Sequence, residues 1–280
     1  SWIPDEFMRR VRDEKDWYFF DPSEAELHDL YGKDFDYAYN SLIDLAENGH
    51  VTNWRKMPAK ELWKKMLKVL FETSHPWNTF KDPCNIRYTN QHAGVVNSSN
   101  LCTEITLHTK PSKYSQGEKV DHGETAVCNL GSINLLNHLE EKQVHDGSEF
   151  TINYKKLEET IHVAVRMLDN VIDLNFYPTK EASNSNLKNR PVGLGMMAFH
   201  GVLHKLNIHI DSDEAVKFSD NLFEFYSMHA IYASSKLAAE RGAYETYENS
   251  LWHQGTFPID SYNNLMVYRG KQKVPKESVT

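Results

Sequence analysis

Residues 97–111 read NSSNLCTEITLHTKP, and residues 123–139 read GETAVCNLGSINLLNHL. In the first stretch polar and apolar residues alternate from Leu101 to Thr109 with β-branched side chains among them, which predicts a strand. A polar excursion over 110–123 separates it from a second predicted strand, ETAVCNL. On an extended chain alternate side chains share a face. Asn100, Cys102 and Glu104 are therefore expected on one side, an amide, a thiol and a carboxylate together. A second thiol, Cys128, follows 26 positions after Cys102. Such a set can do redox chemistry, with the carboxylate as base and the thiols as hydrogen-atom or electron donors. Spacing alone favours the simpler alternative, a small buried cysteine between exposed polar neighbours.

Outward from this pair of segments the pattern alternates between helical and extended. Pro58 stands at a helix start, and Leu62, Met66, Val69 and Leu70 recur at helical spacing through residues 59–73. Before it, residues 1–45 mix aromatics (Trp17, Tyr18, Phe19, Phe20) with turn signals, and residues 74–100 read as loop. A long helix is expected from Tyr154 to Leu174 with Leu157, Ile161, Val165, Leu168 and Ile172 on one stripe. NRPVGLGMMAFHGVLHKL (189–206) predicts a short strand running into a helix. A further helix is expected from Asp211, with Glu214 completing a capping box, a stripe of Ala215, Phe218, Leu222, Phe225 and Tyr232, and Gly242 as the stop. Helices alternating with short strands make the class α/β. No internal repeat or linker is visible.

The 280 residues (32.5 kDa) can bury a large core. Hydrophobic residues make up 40% and charged residues 25%, too apolar for a disordered chain. With 31 basic against 39 acidic residues the net charge is −8, which argues against binding bulk nucleic acid or an anionic membrane. Mean hydropathy is −0.61 and no stretch approaches a membrane span. The opening SWIPDEFMRR has no apolar stretch of the secretory kind, and three cysteines cannot build a disulfide framework. A cytoplasmic location is expected.

Two further motifs carry less. Gly193-x-Gly195-x-x-Ala198 imitates a dinucleotide fingerprint, but Asn189-Arg190-Pro191 precedes it where an apolar strand is required. Tight strand-to-helix packing explains these glycines. His200 and His204 share a helix face and could bind zinc, but Gly201 stands where a metalloprotease carries its glutamate. Surface or core histidines are the favoured reading, and a zinc hydrolase built on this pair is the weakest rival.

The segment around Cys102 and Cys128 resembles the active-site region of the large, catalytic subunit of class I ribonucleotide reductase. FKDPCN (80–85), NRPVGLG (189–195) and KLAAERGAYETYENSLWHQGTFPID (236–260) are similar to family segments in the same order, so the resemblance covers the chain to about Tyr262. Asn-Leu-Cys-x-Glu favours class I over the adenosylcobalamin-dependent relatives, whose motif typically reads Asn-Pro-Cys-Gly-Glu. The fold this implies is part of a ten-stranded α/β barrel with the radical cysteine on a loop inside it. Residues 1–268 would be the partial catalytic barrel and 269–280 a polar basic tail.

By resemblance, Cys102 would be the transient thiyl radical that takes the 3′ hydrogen of a ribonucleoside diphosphate, and Glu104 the base on the 3′ hydroxyl. Asn100 would hold the substrate hydroxyls, with Ser99, Asn100 and Glu104 forming the substrate contact. Cys128 would be one half of the dithiol that reduces the substrate, and Cys84 is expected to be structural. No metal or cofactor would be bound directly. A metal-containing small subunit would supply the radical, and a thioredoxin- or glutaredoxin-type dithiol the electrons. The resemblance further implies that the partner of Cys128 precedes the segment matching Ser1. The radical-relaying tyrosine pair and the C-terminal re-reducing cysteines would lie past the last residue. One piece of a naturally split subunit, or a truncated one, is expected, to be completed by the remaining portions of the large subunit. The basic tail favours a true chain end. The rival from another class is a non-catalytic structural or interaction protein that keeps the fold fragment.

Overall fold

Asp82 is fully buried, and its carboxylate accepts hydrogen bonds from the backbone N–H of Asp5 and, at 2.5 Å, of Gly32. These are the first residues of the helices Asp5–Arg12 and Gly32–Glu47. Helix starts leave N–H groups without intrahelical partners and carry partial positive charge, so one carboxylate serves both. This joint belongs to a computed structural model that describes residues 1–145 and 147–274. The chain forms two compact units, one from residues 1–111 with 246–274 and one from 112–245.

In the first unit the strands Asp16–Phe20 and Trp54–Pro58 pair antiparallel, with Phe20 opposite Trp54. Tyr18, Phe35, Tyr39 and Ile43 form a core beneath them. Trp17 stacks on Tyr39 at 4.4 Å, and the Tyr39 hydroxyl accepts from Tyr18 N at 2.7 Å while donating to Tyr18 O at 2.9 Å. Burial pushes the Tyr39 phenol far up. The helix Ala59–Thr73 has the bounds its pattern predicts and packs through Ala59 against Ile3 and Phe7. Its expected stripe is only half covered: Leu62, Met66 and Leu70 are partly buried and Val69 is exposed. The region 74–100 is not all loop. A parallel pair joins Trp2–Ile3 to Thr79–Phe80, and the helix Lys81–Arg87 follows. The sequence signals did not isolate Asp5–Arg12 or Gly32–Glu47 as helices.

The second unit is built on the parallel strands Leu130–Asn134 and Gly193–Met197, with Leu130 opposite Gly193 and Asn134 opposite Met197. A Cβ on Gly193 would stand 2.6 Å from the Leu130 side chain, and one on Gly195 3.0 Å from Ser132 Oγ. These glycines let two strands lie side by side, so the close packing is strand against strand rather than the strand-to-helix packing expected. The helix Tyr154–Leu174 connects the strands, and its buried residues are the five the stripe predicts. Beside it runs Asp213–Arg241, in the same direction, since Tyr154 meets Phe225 and Arg166 meets Glu240. Between strands and helices lies a core of Ile133, Leu135, Leu157, Ile161, Val165, Leu222 and Tyr226. A strand, a crossover helix and a parallel strand form the repeating unit of α/β sheets and barrels.

Three expectations are corrected here. The last long helix is capped by Ser212, whose Oγ accepts from Ala215 N at 3.1 Å, not by Asp211. Its covered stripe runs through Tyr226, Ala233 and Leu237, whereas Tyr232 is half exposed, because the helix leans on its neighbour along a seam one residue round. Neither active-site segment forms its expected strand. Residues 101–109 contain a turn and no ladder, and the second strand starts only at Leu130. All sheets among the described residues are two-stranded, and none closes into a barrel. The hairpin Leu139–Val144 with Gly147–Ile152 was not foreseen.

Candidate active site

Leu101 and Cys102 sit at the tip of a tight turn, and both are exposed. Local side-chain bonds make the turn. Asn100 Oδ1 accepts from Ile105 N at 3.0 Å, Ser99 Oγ donates to Ile105 O at 2.5 Å, and Thr103 N donates to Asn100 O at 3.1 Å. Thr103 adopts φ 66°, a left-handed conformation that reverses the chain immediately after the cysteine. Short polar side chains bonding to nearby backbone compete with a ladder, and this is why the alternating pattern gives a turn. The amide of Asn100 and the hydroxyl of Ser99 thus clamp the backbone across Cys102. The Asn100 Nδ2 makes no hydrogen bond among the described residues. Glu104 is exposed.

Two buried staples hold the ends of this loop. Ahead of it, Asn85 Nδ2 donates to Val96 O at 2.9 Å and Val96 N donates to Asn85 Oδ1 at 2.8 Å, so one side-chain amide replaces a strand neighbour. Behind it, His108 is buried with its Nδ1 2.6 Å from the Tyr88 hydroxyl. Gly94 packs against that imidazole, and a Cβ there would stand 2.6 Å from His108 Cδ2. Asn85, Tyr88 and His108 were not singled out from the sequence. The signal available was FKDPCN itself, a run of polar residues of which Lys81, Asp82 and Asn85 are all buried. Lys81 Nζ donates to His28 O at 2.6 Å, and burial lowers its pKa against the pull of Asp82.

Cys84, from the same run, lines a cavity of about 490 Å³ with Arg87, Thr106, Leu251, Trp252 and Phe257. Burial raises its thiol pKa and the neighbouring Arg87 opposes this, so Cys84 is held as a thiol, in keeping with a structural role.

In the other unit, Cys128 is exposed and precedes the buried Asn129. Asn129 Nδ2 donates to Asn186 Oδ1 at 2.6 Å and to Pro191 O at 2.8 Å, while its carbonyl accepts from Gly193 N at 2.9 Å. Upstream, Thr125 N donates to the Glu181 carbonyl at 3.0 Å, and the buried Glu124 pairs with Lys188 at 3.3 Å and Asn189 at 3.0 Å. The segment carrying Cys128 is therefore fixed on both sides although it lies outside the strand. His200 and His204 are both exposed on the helix Phe199–Lys205, and no third metal-ligating side chain joins them among the described residues.

The family model for the ribonucleotide reductase barrel domain matches residues 1–278. The chain belongs to this family. The match runs past Tyr262, where the resemblance carried by the motifs weakens. The ribonucleoside-diphosphate reductase subunit alpha of Chlamydia muridarum is 47% identical over 279 residues, covering 99% of this chain and 25% of that protein. The subunit alpha of Helicobacter pylori J99 is 36% identical, covering 94% and 37%. The ribonucleoside-diphosphate reductase large chain of Neurospora crassa is 36% identical, covering 94% and 26%. The chain thus spans between about a quarter and two fifths of the length of these relatives. Membership gives the α/β barrel as the family architecture, of which these residues form paired strands and crossover helices. Among the described residues no helix is long and apolar enough to cross a membrane.

Proposed function

We propose that this chain carries the reacting centre of a class I ribonucleoside-diphosphate reductase, with Cys102 on the loop that projects into the assembled barrel. The observation that carries the reading is the clamp at Ser99, Asn100 and Ile105, which holds an exposed cysteine at the tip of a turn stapled at both ends. In this reading the Cys102 sulfur, as a radical, takes the hydrogen atom from C3′ of the ribose. Glu104 takes the proton of the 3′ hydroxyl, and Asn100 Nδ2 donates to a ribose hydroxyl. The 2′ hydroxyl leaves as water with a proton from one thiol of the dithiol, and the other thiol gives its hydrogen to C2′. The two sulfurs, having given up two electrons in all, join as a disulfide; Glu104 returns its proton to the 3′ oxygen and Cys102 returns its hydrogen atom to C3′. Cys128 is one sulfur of that dithiol, and the other comes from the rest of the assembled subunit. The radical arrives from a separate metal-containing small subunit, and a thioredoxin- or glutaredoxin-type dithiol restores the thiols. A reducing, cytoplasmic setting suits this chemistry.

Cys102→Ser tests the assignment. Oxygen nearly matches sulfur in size, but the O–H bond is too strong for the same hydrogen-atom exchange. In the assembled enzyme the serine variant is expected to bind its partner chains normally and to form no deoxynucleotide. Measurable turnover removes Cys102 from the radical role.

A further inference from the structure

Away from the cysteines, the seam between Tyr154–Leu174 and Asp213–Arg241 brings together Glu158, His162 and His229. Glu158 and His162 are four residues apart and so share a helix face. His229 faces them from the neighbouring helix, with its Nδ1 3.4 Å from Glu158 Oε1 and its ring 5.6 Å from that of His162. The ligand atoms of the three residues all lie within 4.8 Å of one another. Three points so placed have a common centre within about 2.8 Å of each, and zinc bonds to histidine nitrogen and carboxylate oxygen are about 2.0–2.2 Å. Small side-chain rotations close that gap.

A second observation points the same way. His162 Nε2 and His229 Nδ1 are buried with no hydrogen-bond partner. Buried polar atoms in folded proteins are nearly always paired, and an orphan calls for a missing partner. Two imidazole nitrogens without a hydrogen bond, one of them 3.4 Å from a carboxylate oxygen, make a donor set that suits a divalent cation. The site has a route in, because the Glu158 side chain is 41% exposed while that of His229 is 14% exposed. Phe225 and Tyr232 pack against the two imidazoles, Phe225 on His229 at 4.2 Å and Tyr232 on His162 at 5.9 Å, and restrict their rotation.

We propose that Glu158, His162 and His229 form a binding site for a zinc-class divalent cation, with three protein ligands and water in the fourth position. It joins the two parallel helices behind the Leu130–Asn134 and Gly193–Met197 strands. The ion there is structural, since among the described residues no further metal-ligating side chain joins these three. Nitrogen and oxygen donors without thiolate suit zinc, cobalt or nickel better than calcium or magnesium.

The test uses the purified 280-residue chain, stripped with chelator and titrated with zinc chloride in a calorimeter at neutral pH. One equivalent is expected to bind and to raise the unfolding temperature. Bound cobalt should give ligand-field bands without thiolate charge transfer, which separates this site from the three cysteines. Removing one ligand should weaken binding by roughly 100-fold or more, given that losing even an outer-shell partner costs about 10–100-fold. His162→Ala and His229→Ala are the direct variants. Glu158→Gln, at a half-exposed position, keeps the fold and should weaken binding in the same way. The double variant His200→Ala/His204→Ala should bind like the parent. The proposal is overturned if the parent binds no zinc, if Glu158→Gln and the histidine variants bind it equally well, or if cobalt shows thiolate ligation.

Discussion

Asn100 has two jobs in the proposed mechanism. Its carbonyl oxygen is committed to Ile105 N and shapes the turn, while its Nδ2 is the donor proposed for a ribose hydroxyl. Glu104, two residues past the cysteine, is exposed, and the proposed mechanism gives it a part in the chemistry. That division makes the two side chains separable by mutation. Glu104→Gln preserves size and hydrogen-bonding capacity but removes the proton acceptor. In the assembled reductase it should lower the rate by about 10²–10⁴, the usual contribution of a positioned general base. The loop and thermal stability should be unchanged. Single-turnover rates measured alongside substrate affinity check this. Activity within a few-fold of the parent would assign Glu104 to substrate positioning alone.

At the scale of elements, buried carboxylates hold helices and loops in place. Asp82→Ala leaves the N–H groups of Asp5 and Gly32 without their partner. At about 1–3 kcal/mol for each unsatisfied buried group, the loss should be about 2–6 kcal/mol. Asp82→Asn keeps one acceptor oxygen and should lose less. Urea titrations of the three chains check the order, and an alanine variant as stable as the parent removes Asp82 from its capping role. Glu181 works through charge. Its carboxylate accepts from Lys119, from Ser112 Oγ at 3.0 Å and from His122 Nδ1 at 3.1 Å, and the Lys119 bond foremost holds its pKa well below the ordinary range. Because the folded-state pKa is depressed, the contribution is full above the unfolded value of about 4.3 and is lost as pH falls toward the folded one. Unfolding temperature should therefore drop below about pH 4.3, and Glu181→Gln should be less stable at neutral pH with a shallower acid limb. An identical acid limb in both chains would sink this assignment. The sequence made some of these elements legible and hid others for physical reasons. The stripe Leu157, Ile161, Val165, Leu168 and Ile172 showed plainly, because a helix buried on one face must repeat its apolar residues. The motif around Cys102 pointed to candidate residues but not to their geometry. Alternation predicts a strand only when the ladder wins, and here Ser99 and Asn100 bond to Ile105 instead. Asn85 and His108 stayed hidden because a buried polar residue reads as a surface one until its partners, eleven and twenty residues away, are known.

The whole chain leaves large apolar side chains in water: Phe71 is 91% exposed in the first unit, and Leu174 and Phe176 are each 85% exposed in the second. Leu101, beside the reacting cysteine of the proposed mechanism, is 77% exposed. Large exposed apolar patches mark sites where other surfaces pack, and the relatives are about four times as long as the stretch they share with this chain. These surfaces are where the remaining parts of the barrel would pack. The chemistry makes the same demand. In the proposed mechanism reducing one ribose takes two electrons from two thiols that join as a disulfide, so Cys128 would need a second sulfur with its Cα within about 7 Å. Cys84 is a poor substitute, half-buried in an apolar cavity that keeps it protonated. In the same proposal Cys102 would also have to receive its radical, and the tyrosine pair that the family resemblance implies as its relay has no Tyr-Tyr counterpart in these 280 residues. The 280-residue chain on its own should therefore form no deoxynucleotide, with or without added dithiol. Product should appear only when the complementary large-subunit portions and a radical-generating subunit are supplied together, and it should disappear again when either is withheld. Deoxynucleotide formation from labelled ribonucleoside diphosphate decides the matter: turnover by the lone chain overturns the need for partners, and inactivity of a fully assembled complex favours a fold fragment kept for structure alone.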